Sequence, residues 1–373
     1  MWALALVGKG KIEYIEKDRP IVNESHGALL KPILVSPCTS DVHTIWQGSP
    51  KKNNLTLGHE CVAEVIEVGN RVKDFKIGDI VAVPAITPEW SNPDVNNNPG
   101  HAGKNFSGHM LGKSIDGAFQ EIFYLPYADK NLALIPQGVS YEQALMCVDV
   151  VSTGFTAVEE ASVKRGTSVV IMGIGAIGLA AIMGAKLYGA GKIFAIGSRE
   201  ENCNIARMLG AEVINYKTCM CNLPEGMHPL ANSTNSDVVN YILKRTNNIG
   251  VDAVLICGGN DQTFSQAVDI CKYGTGIVSN VMYYGANNND ERVGIDGIII
   301  PKFSIGRGMA GKTLKFSLAK GGRERIEYLL NLCEEGRINP EIFITKRYNG
   351  MDKIKQAVYD MKNRKAIKIA VRM

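Results

Sequence analysis

The stretch Ser168–Ser198, "SVVIMGIGAIGLAAIMGAKLYGAGKIFAIGS", decides the fold. Its first eighteen residues carry no charge, which is near the shortest run that crosses a bilayer. Small residues also recur in it at the spacing that lets membrane helices meet. The glycines favour a different reading. Arg165-Gly166 ahead of the stretch reads as a turn, "TSVVIMG" as a buried parallel strand, "AIGLAAIMGAKLYG" as a helix ending near Gly189, and "KIFAIGS" as a second strand. Gly173-Ile174-Gly175-Ala176-Ile177-Gly178 matches G-x-G-x-x-G where a strand gives way to a helix, a context that makes a weak pattern specific. In such a turn Gly173 permits the tight bend, Gly175 lets the backbone approach a pyrophosphate, and Gly178 lets the helix pack on the strand. The amides at the helix start, those of Ala176 and Ile177, then hold the phosphates.

Downstream the alternation continues through helix "ENCNIARMLGA", strand "EVINY", helix "SDVVNYILKRT", strand "VDAVLICGG", helix "QTFSQAVDICK" and strand "GTGIVSNVMYYG", the last expected at the sheet edge. This is the pattern of a doubly wound parallel sheet in an α/β fold. Residues 217–236, "KTCMCNLPEGMHPLANSTNS", are turn-rich and aperiodic and read as a surface insertion. Upstream, short alternating runs such as "CVAEVIEVG" and "DIVAVPA" between glycine and proline turns read as an antiparallel, barrel-like domain. The C-terminal part mixes short strands with two amphipathic helices, "RERIEYLLNLCEEG" and "MDKIKQAVYDMKN". The expected organisation is residues 1–151 as one part of a catalytic domain, 152–298 as the nucleotide domain, and 299–373 completing the first.

A chain of 373 residues agrees with about two domains at ~150 residues each. With 41 basic against 37 acidic residues the net charge is only +4, and no basic block stands out, so neither nucleic acid nor an anionic membrane surface is indicated. Nine scattered cysteines have no disulfide-framework or zinc-finger spacing, which favours a reducing, cytoplasmic setting. The N-terminus "MWALALVGKGKIEYIEKD" has too short an apolar run for a secretory signal.

The stretch "LGHECVAEV", residues 57–65, sets an imidazole, a carboxylate and a thiol side by side. Before it stands Cys38-Thr39-Ser40-Asp41-Val42-His43; after it come Cys147 and Asp149. Thiolate, imidazole and carboxylate together are what a catalytic zinc takes, with one position left for water or substrate. The segment "GHECVAEVIEVGNRVKDFKIGDIVAV" resembles the G-H-E region of zinc-containing medium-chain alcohol dehydrogenases. "PCTSDVHT", "AITPEW", "DVVSTGF", "GIGAIGL" and "GSRE" are together similar to the microbial NADP-dependent secondary-alcohol dehydrogenases, in the same order over almost the whole chain.

That resemblance implies a Rossmann nucleotide domain with a GroES-like catalytic domain, one catalytic zinc per chain, NADP, and a homotetramer acting on a small alcohol or ketone. It makes Cys38, His59 and Asp149 zinc ligands, with Glu60 a fourth carboxylate at or near the metal. Asp41 matches the carboxylate that orients His59. Ser40 is expected against the reacting oxygen, passing its proton toward His43, since an imidazole can take up and release a proton. Thr153 is placed near the nicotinamide ring. Cys147 is two residues off the ligand spacing and reads as a core cysteine, as does Cys61. Two departures stand out. No cysteine occurs between Cys61 and Cys147, where many relatives hold a second, structural zinc, and His109 falls where the secondary-alcohol enzymes place a pocket tryptophan. His101 and His109 read as loop residues.

Dinucleotide choice has its own signal. An enzyme preferring NAD usually carries an acidic residue at the end of the second strand. Here Gly197 holds that position, followed by Ser198 as a donor and Arg199 with a planar fork for a 2′-phosphate. Tyr216 flanks the same group by resemblance. A competing pattern, Gly306 to Thr313 in "GRGMAGKT", fits the phosphate-binding G-x-x-x-x-G-K-[ST] of nucleotide hydrolases. The next residues, "LKFSLAKGG", read as a strand rather than the helix such a loop requires. A zinc-free binding protein is disfavoured because every ligand position is filled. The expectation is an NADP- and zinc-dependent secondary-alcohol dehydrogenase, with a primary-alcohol or polyol dehydrogenase as the alternative.

Overall fold

The computed structural model describes residues 1–46, 53–91, 108–222, 236–260, 262–282 and 309–373. The chain divides into two units, Met1–Ser152 with Ala319–Met373, and Thr153–Leu318.

In the second unit six strands lie parallel in the order Glu212–Asn215, Lys192–Gly197, Ser168–Met172, Ala253–Ile256, Ile277–Asn280, Thr313–Phe316. Counted along the unit this is 3-2-1-4-5-6, the doubly wound order whose reversal lies between the first and fourth strands. Strands such as "SVVIM" and "AVLI" are buried along nearly their whole length, as strands covered on both faces must be. Helices Ala176–Leu187, Glu200–Met208, Asp237–Arg245 and Thr263–Ile270 supply the crossovers. The apparent membrane segment is thus a strand and a twelve-residue helix, and no helix among the described residues is long and apolar enough to cross a membrane.

Two expectations change here. The unit runs to Leu318, not to residue 298, because Thr313–Phe316 joins its sheet as the sixth strand. For the same reason Ile277–Asn280, within "GTGIVSNVMYYG", is an inner strand, and the edge is Thr313–Phe316. That edge strand also disposes of the hydrolase pattern. Lys312 donates to the Val268 carbonyl at 2.6 Å and covers the Tyr273 ring, and the chain continues as a strand instead of a helix. Residues 306–308 of the pattern lie outside the described residues. So do 223–235 of the 217–236 segment, whose described start is tied down by bonds from the Cys221 amide to Asp237 and from Asn240 to the Cys221 carbonyl.

The first unit is built on a seven-stranded sheet along the path Ile344–Asn349, Lys368–Arg372, Ala28–Ser36, Glu60–Val68, Ile80–Val83, Ala133–Leu134, with Phe123–Leu125 also on Ala28–Ser36. Its pairings are antiparallel except that of Ile344–Asn349 with Lys368–Arg372. A second sheet joins Lys11–Glu16, Trp2–Gly8 and Leu55–Thr56. Alternation along Glu60–Val68 sends Cys61, Ala63 and Val65 into the core with Leu30, Val35, Val81 and Phe123. Glu60, one residue before Cys61, therefore faces the other way. Among the described residues, this is how one strand serves a core and a polar site at once.

Candidate metal centre and dinucleotide site

Three neighbouring strands of the first unit converge on the polar site. The central one, Ala28–Ser36, ends at Pro37 and delivers Cys38 at the start of helix Thr39–Trp46. Its flanking strands deliver Glu60 on one side and Lys368 on the other. Asp149 arrives from elsewhere, on a five-residue π-helical segment, Cys147–Val151, between helices Tyr141–Met146 and Ser152–Glu160. Such wide turns recur at functional sites because they re-aim a side chain within a continuous helix.

Ligand atoms of Cys38, His59, Glu60 and Asp149 all lie within 4.8 Å of one another. The Cys38 thiol donates to Asp149 Oδ2 at 3.5 Å, and His59 Nε2 lies 3.8 Å from the same oxygen and 3.1 Å from Ser40 Oγ. His59 Nδ1 faces Asp41 Oδ1 at 3.3 Å, an ion-pair distance without hydrogen-bond alignment. Asp41 is fixed by the Cys38 and Gly58 amides at 2.9 and 3.4 Å. Here an oriented imidazole turns one nitrogen to a supporting carboxylate and the other to the cluster.

The electrostatics show what the cluster is for. Burial, followed by the charges of Asp149 and Glu60, pushes the Cys38 thiol up. Burial and Asp149 likewise push Glu60 up to about 7, against the opposing pull of Lys368. Burial also raises Asp41, but His59 and the Cys38 amide outweigh it and hold that carboxyl at about 2. Burial works against a charge on His59, yet Asp41 and Cys38 hold its pKa well up. Crowded donors that resist ionisation in each other's company are the donor set a divalent cation relieves, since it displaces the thiol and imidazole protons. Thiolate, imidazole and carboxylate oxygen suit zinc.

Lys368 has no counterpart among the candidate residues read from sequence. Its ammonium is almost fully buried, reaching Glu60 at 2.7 Å and the Pro37 carbonyl at 3.0 Å. The only trace in sequence is a lysine inside the apolar run "AIKIAV". Cys147 faces Cys333 at 3.6 Å in the core, away from the cluster, and Cys61 is core as well. His43 stands one helical turn beyond Ser40, on the same side of helix Thr39–Trp46. His109 lies in a loop and outside the metal-ligating group, and its ring meets that of His59 edge-on, centroids 4.8 Å apart. His101 lies outside the described residues.

In the second unit the turn Gly173–Gly178 leaves the first strand at the point where strand order reverses. Gly173 has φ +84°, and a Cβ there would strike Gly258; one on Gly178 would lie 2.0 Å from the Gly173 carbonyl oxygen. Gly175 is different. A Cβ there would meet no protein atom within 4 Å, and its φ of −70° suits any residue. Open space in front of that backbone, at the start of helix Ala176–Leu187, fits a pyrophosphate. Gly197 pairs with Asn215, so Ser198 and Arg199 leave the sheet beside Tyr216, which is exposed. A Cβ on Gly197 would fall 2.1 Å from the Ile174 side chain. Thr153 is buried in the first turn of its helix.

A dinucleotide turn on a doubly wound sheet and a buried cation centre in one chain are the two halves of a metal-dependent dehydrogenase, and that is the class these features define. Residues 24–137 match the alcohol dehydrogenase GroES-like domain and residues 176–310 the zinc-binding dehydrogenase domain. The chain is 40% identical to the NADP-dependent isopropanol dehydrogenase of Clostridium beijerinckii over 98% of its own length and 97% of the relative's. It is 40% identical to the enzyme of that name from Entamoeba histolytica, over 100% of this chain and 96% of the other. Among solved structures, an alcohol dehydrogenase from Thermus sp. ATN1 superposes with TM-score 0.82 at 27% identity, covering 100% of this chain and 99% of that one. The chain belongs to the zinc-binding alcohol dehydrogenase family.

Proposed function

We propose that this protein interconverts secondary alcohols and ketones of the propan-2-ol/acetone type, with NADP as hydride carrier and one zinc per chain. The observation that carries the reading is the Cys38, His59, Glu60 and Asp149 cluster in a chain 40% identical, end to end, to an isopropanol dehydrogenase. Cys38, His59 and Asp149 would hold the zinc, with Glu60 at or near it. Gly173, Gly175, Ala176, Ile177 and Gly178 would cradle the pyrophosphate, Gly197, Ser198, Arg199 and Tyr216 the 2′-phosphate, and Thr153 would pack on the nicotinamide. When bound, zinc supplies the charge that lowers the pKa of the alcohol, and NADP supplies the hydride acceptor.

The chain's own groups do the rest. Asp41 holds His59 in orientation, and Ser40, 3.1 Å from His59 Nε2, takes the hydroxyl proton as it leaves. His43, one turn on, passes it to solvent. By the same resemblance the protein works in the cytoplasm as a homotetramer, which light scattering at micromolar concentration checks. The decisive assay is propan-2-ol oxidation by the purified protein with NADP and with NAD, beside metal analysis and chelation. Turnover should need one zinc per chain and be lost in Cys38→Ser and His59→Ala. Full activity after exhaustive chelation, or two zincs per chain, sinks the reading.

A further inference from the structure

Beside His59 the structure holds two polar groups that the dehydrogenase chemistry does not use. The His109 Nε2 atom is buried with no hydrogen-bond partner among the described residues, and so is the hydroxyl of Thr87, a fully buried residue. The segments that carry them meet, since the Thr87 amide donates to the carbonyl of Gly108, the residue before His109. Two residues earlier the Ala85 amide donates to the Val148 carbonyl, next to Asp149. Segment 85–87 is therefore stitched between the turn that carries Asp149 and the turn that carries His109, whose ring packs on His59.

A buried donor or acceptor left unpaired costs ~1–3 kcal/mol. An unpartnered Nε2 on a ring packed against His59, with an unpartnered hydroxyl on the adjoining segment, marks where a polar group of a bound molecule belongs. An imidazole ring has two nitrogens for hydrogen bonding, and here Nε2 is the one left without a partner. We propose that His109, supported by Thr87 on the adjoining segment, recognises a second oxygen on the carbon next to the reacting one, an assignment that rests on the dehydrogenase function proposed for this chain. Within the secondary alcohols and ketones proposed for this chain, the favoured members are then vicinal diols and α-hydroxyketones. His109 is one ring away from His59, so the second oxygen must sit close to the first and not at the far end of a chain. Oxidation of such a diol sends one carbinol hydride to NADP and its hydroxyl proton to solvent, and the second hydroxyl stays intact.

Selectivity of this kind is large when a buried group is left without its partner by the wrong substrate. The experiment compares kcat/KM for 2,3-butanediol and 2-butanol with NADP in the wild type, His109→Phe, His109→Gln and Thr87→Val, each checked for bound zinc and thermal unfolding. His109→Phe should lower the diol-to-butanol ratio by about tenfold or more, the loss of one hydrogen bond. His109→Gln should hold the ratio within about threefold and Thr87→Val should lower it severalfold. Ratios unmoved in both His109→Phe and Thr87→Val overturn the proposal, because a trapped water then satisfies these groups. Calorimetric titration of the wild-type holoenzyme with each alcohol decides independently of folding in the variants: tighter binding of the diol supports the assignment and equal affinity defeats it. A wild type that oxidises neither alcohol fails the dehydrogenase reading instead, and the titration still reads the diol site.

Discussion

Lys368 puts an ammonium 2.7 Å from a carboxylate in a place where almost no water reaches either group. Burial works against its charge, but Glu60 and Cys38 outweigh that and hold the Lys368 pKa up. Breaking such a buried pair from one side costs about 3–5 kcal/mol, because the remaining charge is left uncompensated. Lys368→Met should lower stability to urea by that order, and Lys368→Met with Glu60→Gln should recover most of it. A double variant no more stable than the single one contradicts the pairing. The sign with pH comes from Glu60 in the metal-free protein. Its folded carboxyl titrates near 7 against an ordinary 4.5, so the folded state keeps the extra proton between those values and stability falls as pH rises through them.

Arg199 tests the cofactor at the same scale. It is exposed at the end of strand Lys192–Gly197, beside Tyr216. A hydrogen bond to a charged group contributes ~1.5–3 kcal/mol, so Arg199→Ala should lower kcat/KM for NADP about ten- to a hundredfold and leave NAD nearly unchanged. Equal losses for both cofactors would place Arg199 elsewhere. An acidic residue at 197 is the poorer probe, since its Cβ would collide with Ile174. Cys38, His59, Glu60 and Asp149 were legible as candidates because their order and spacing match a family pattern. Lys368 was not, for its meaning lies in a partner 308 positions away that no local pattern records.

At the scale of elements, Asp360 ties helix Ile354–Lys362 to strand Ile344–Asn349. Lys346 and Tyr348 from the strand reach its Oδ2 at 2.5 and 2.7 Å, and Gln356 reaches Oδ1 at 2.9 Å. Burial raises this carboxyl, but the bonds from Lys346, Tyr348 and Gln356 outweigh it and hold it at about 2. A folded value below the ordinary 3.8 adds stability above that pH, which is lost as pH falls through about 2. At 1.36 kcal/mol per unit, Asp360→Asn should cost about 2 kcal/mol at neutral pH, with the gap to wild type closing between pH 4 and pH 2. A gap independent of pH would mean that packing, not charge, makes this joint. The helices here were readable from apolar periodicity, and "TSVVIMG" from its unbroken apolar run. The strand after Lys312 was readable as a strand, but not as the sixth of this sheet, because Thr313–Phe316 is four residues long and half-exposed and nothing local says which sheet it joins.

Across the whole molecule, the residues proposed for the two cofactors fall into different units. Cys38, His59, Glu60 and Asp149, with Lys368 beside them, belong to Met1–Ser152 with Ala319–Met373, while the glycine turn, Arg199 and Tyr216 belong to Thr153–Leu318. The candidate metal residues come from separated parts of the chain, so a bound zinc would hold together segments that the unfolded chain keeps far apart. A ligand that binds only the folded state stabilises it by about 2.7 kcal/mol at a hundred times its dissociation constant. Chelation should therefore lower the transition of the first unit and leave the second in place, while NADP should raise the second alone. Scanning calorimetry of the zinc-loaded, zinc-stripped and NADP-saturated protein separates the two effects. If both ligands move a single transition by additive amounts, the units melt as one cooperative block and the expectation of two separate transitions is wrong.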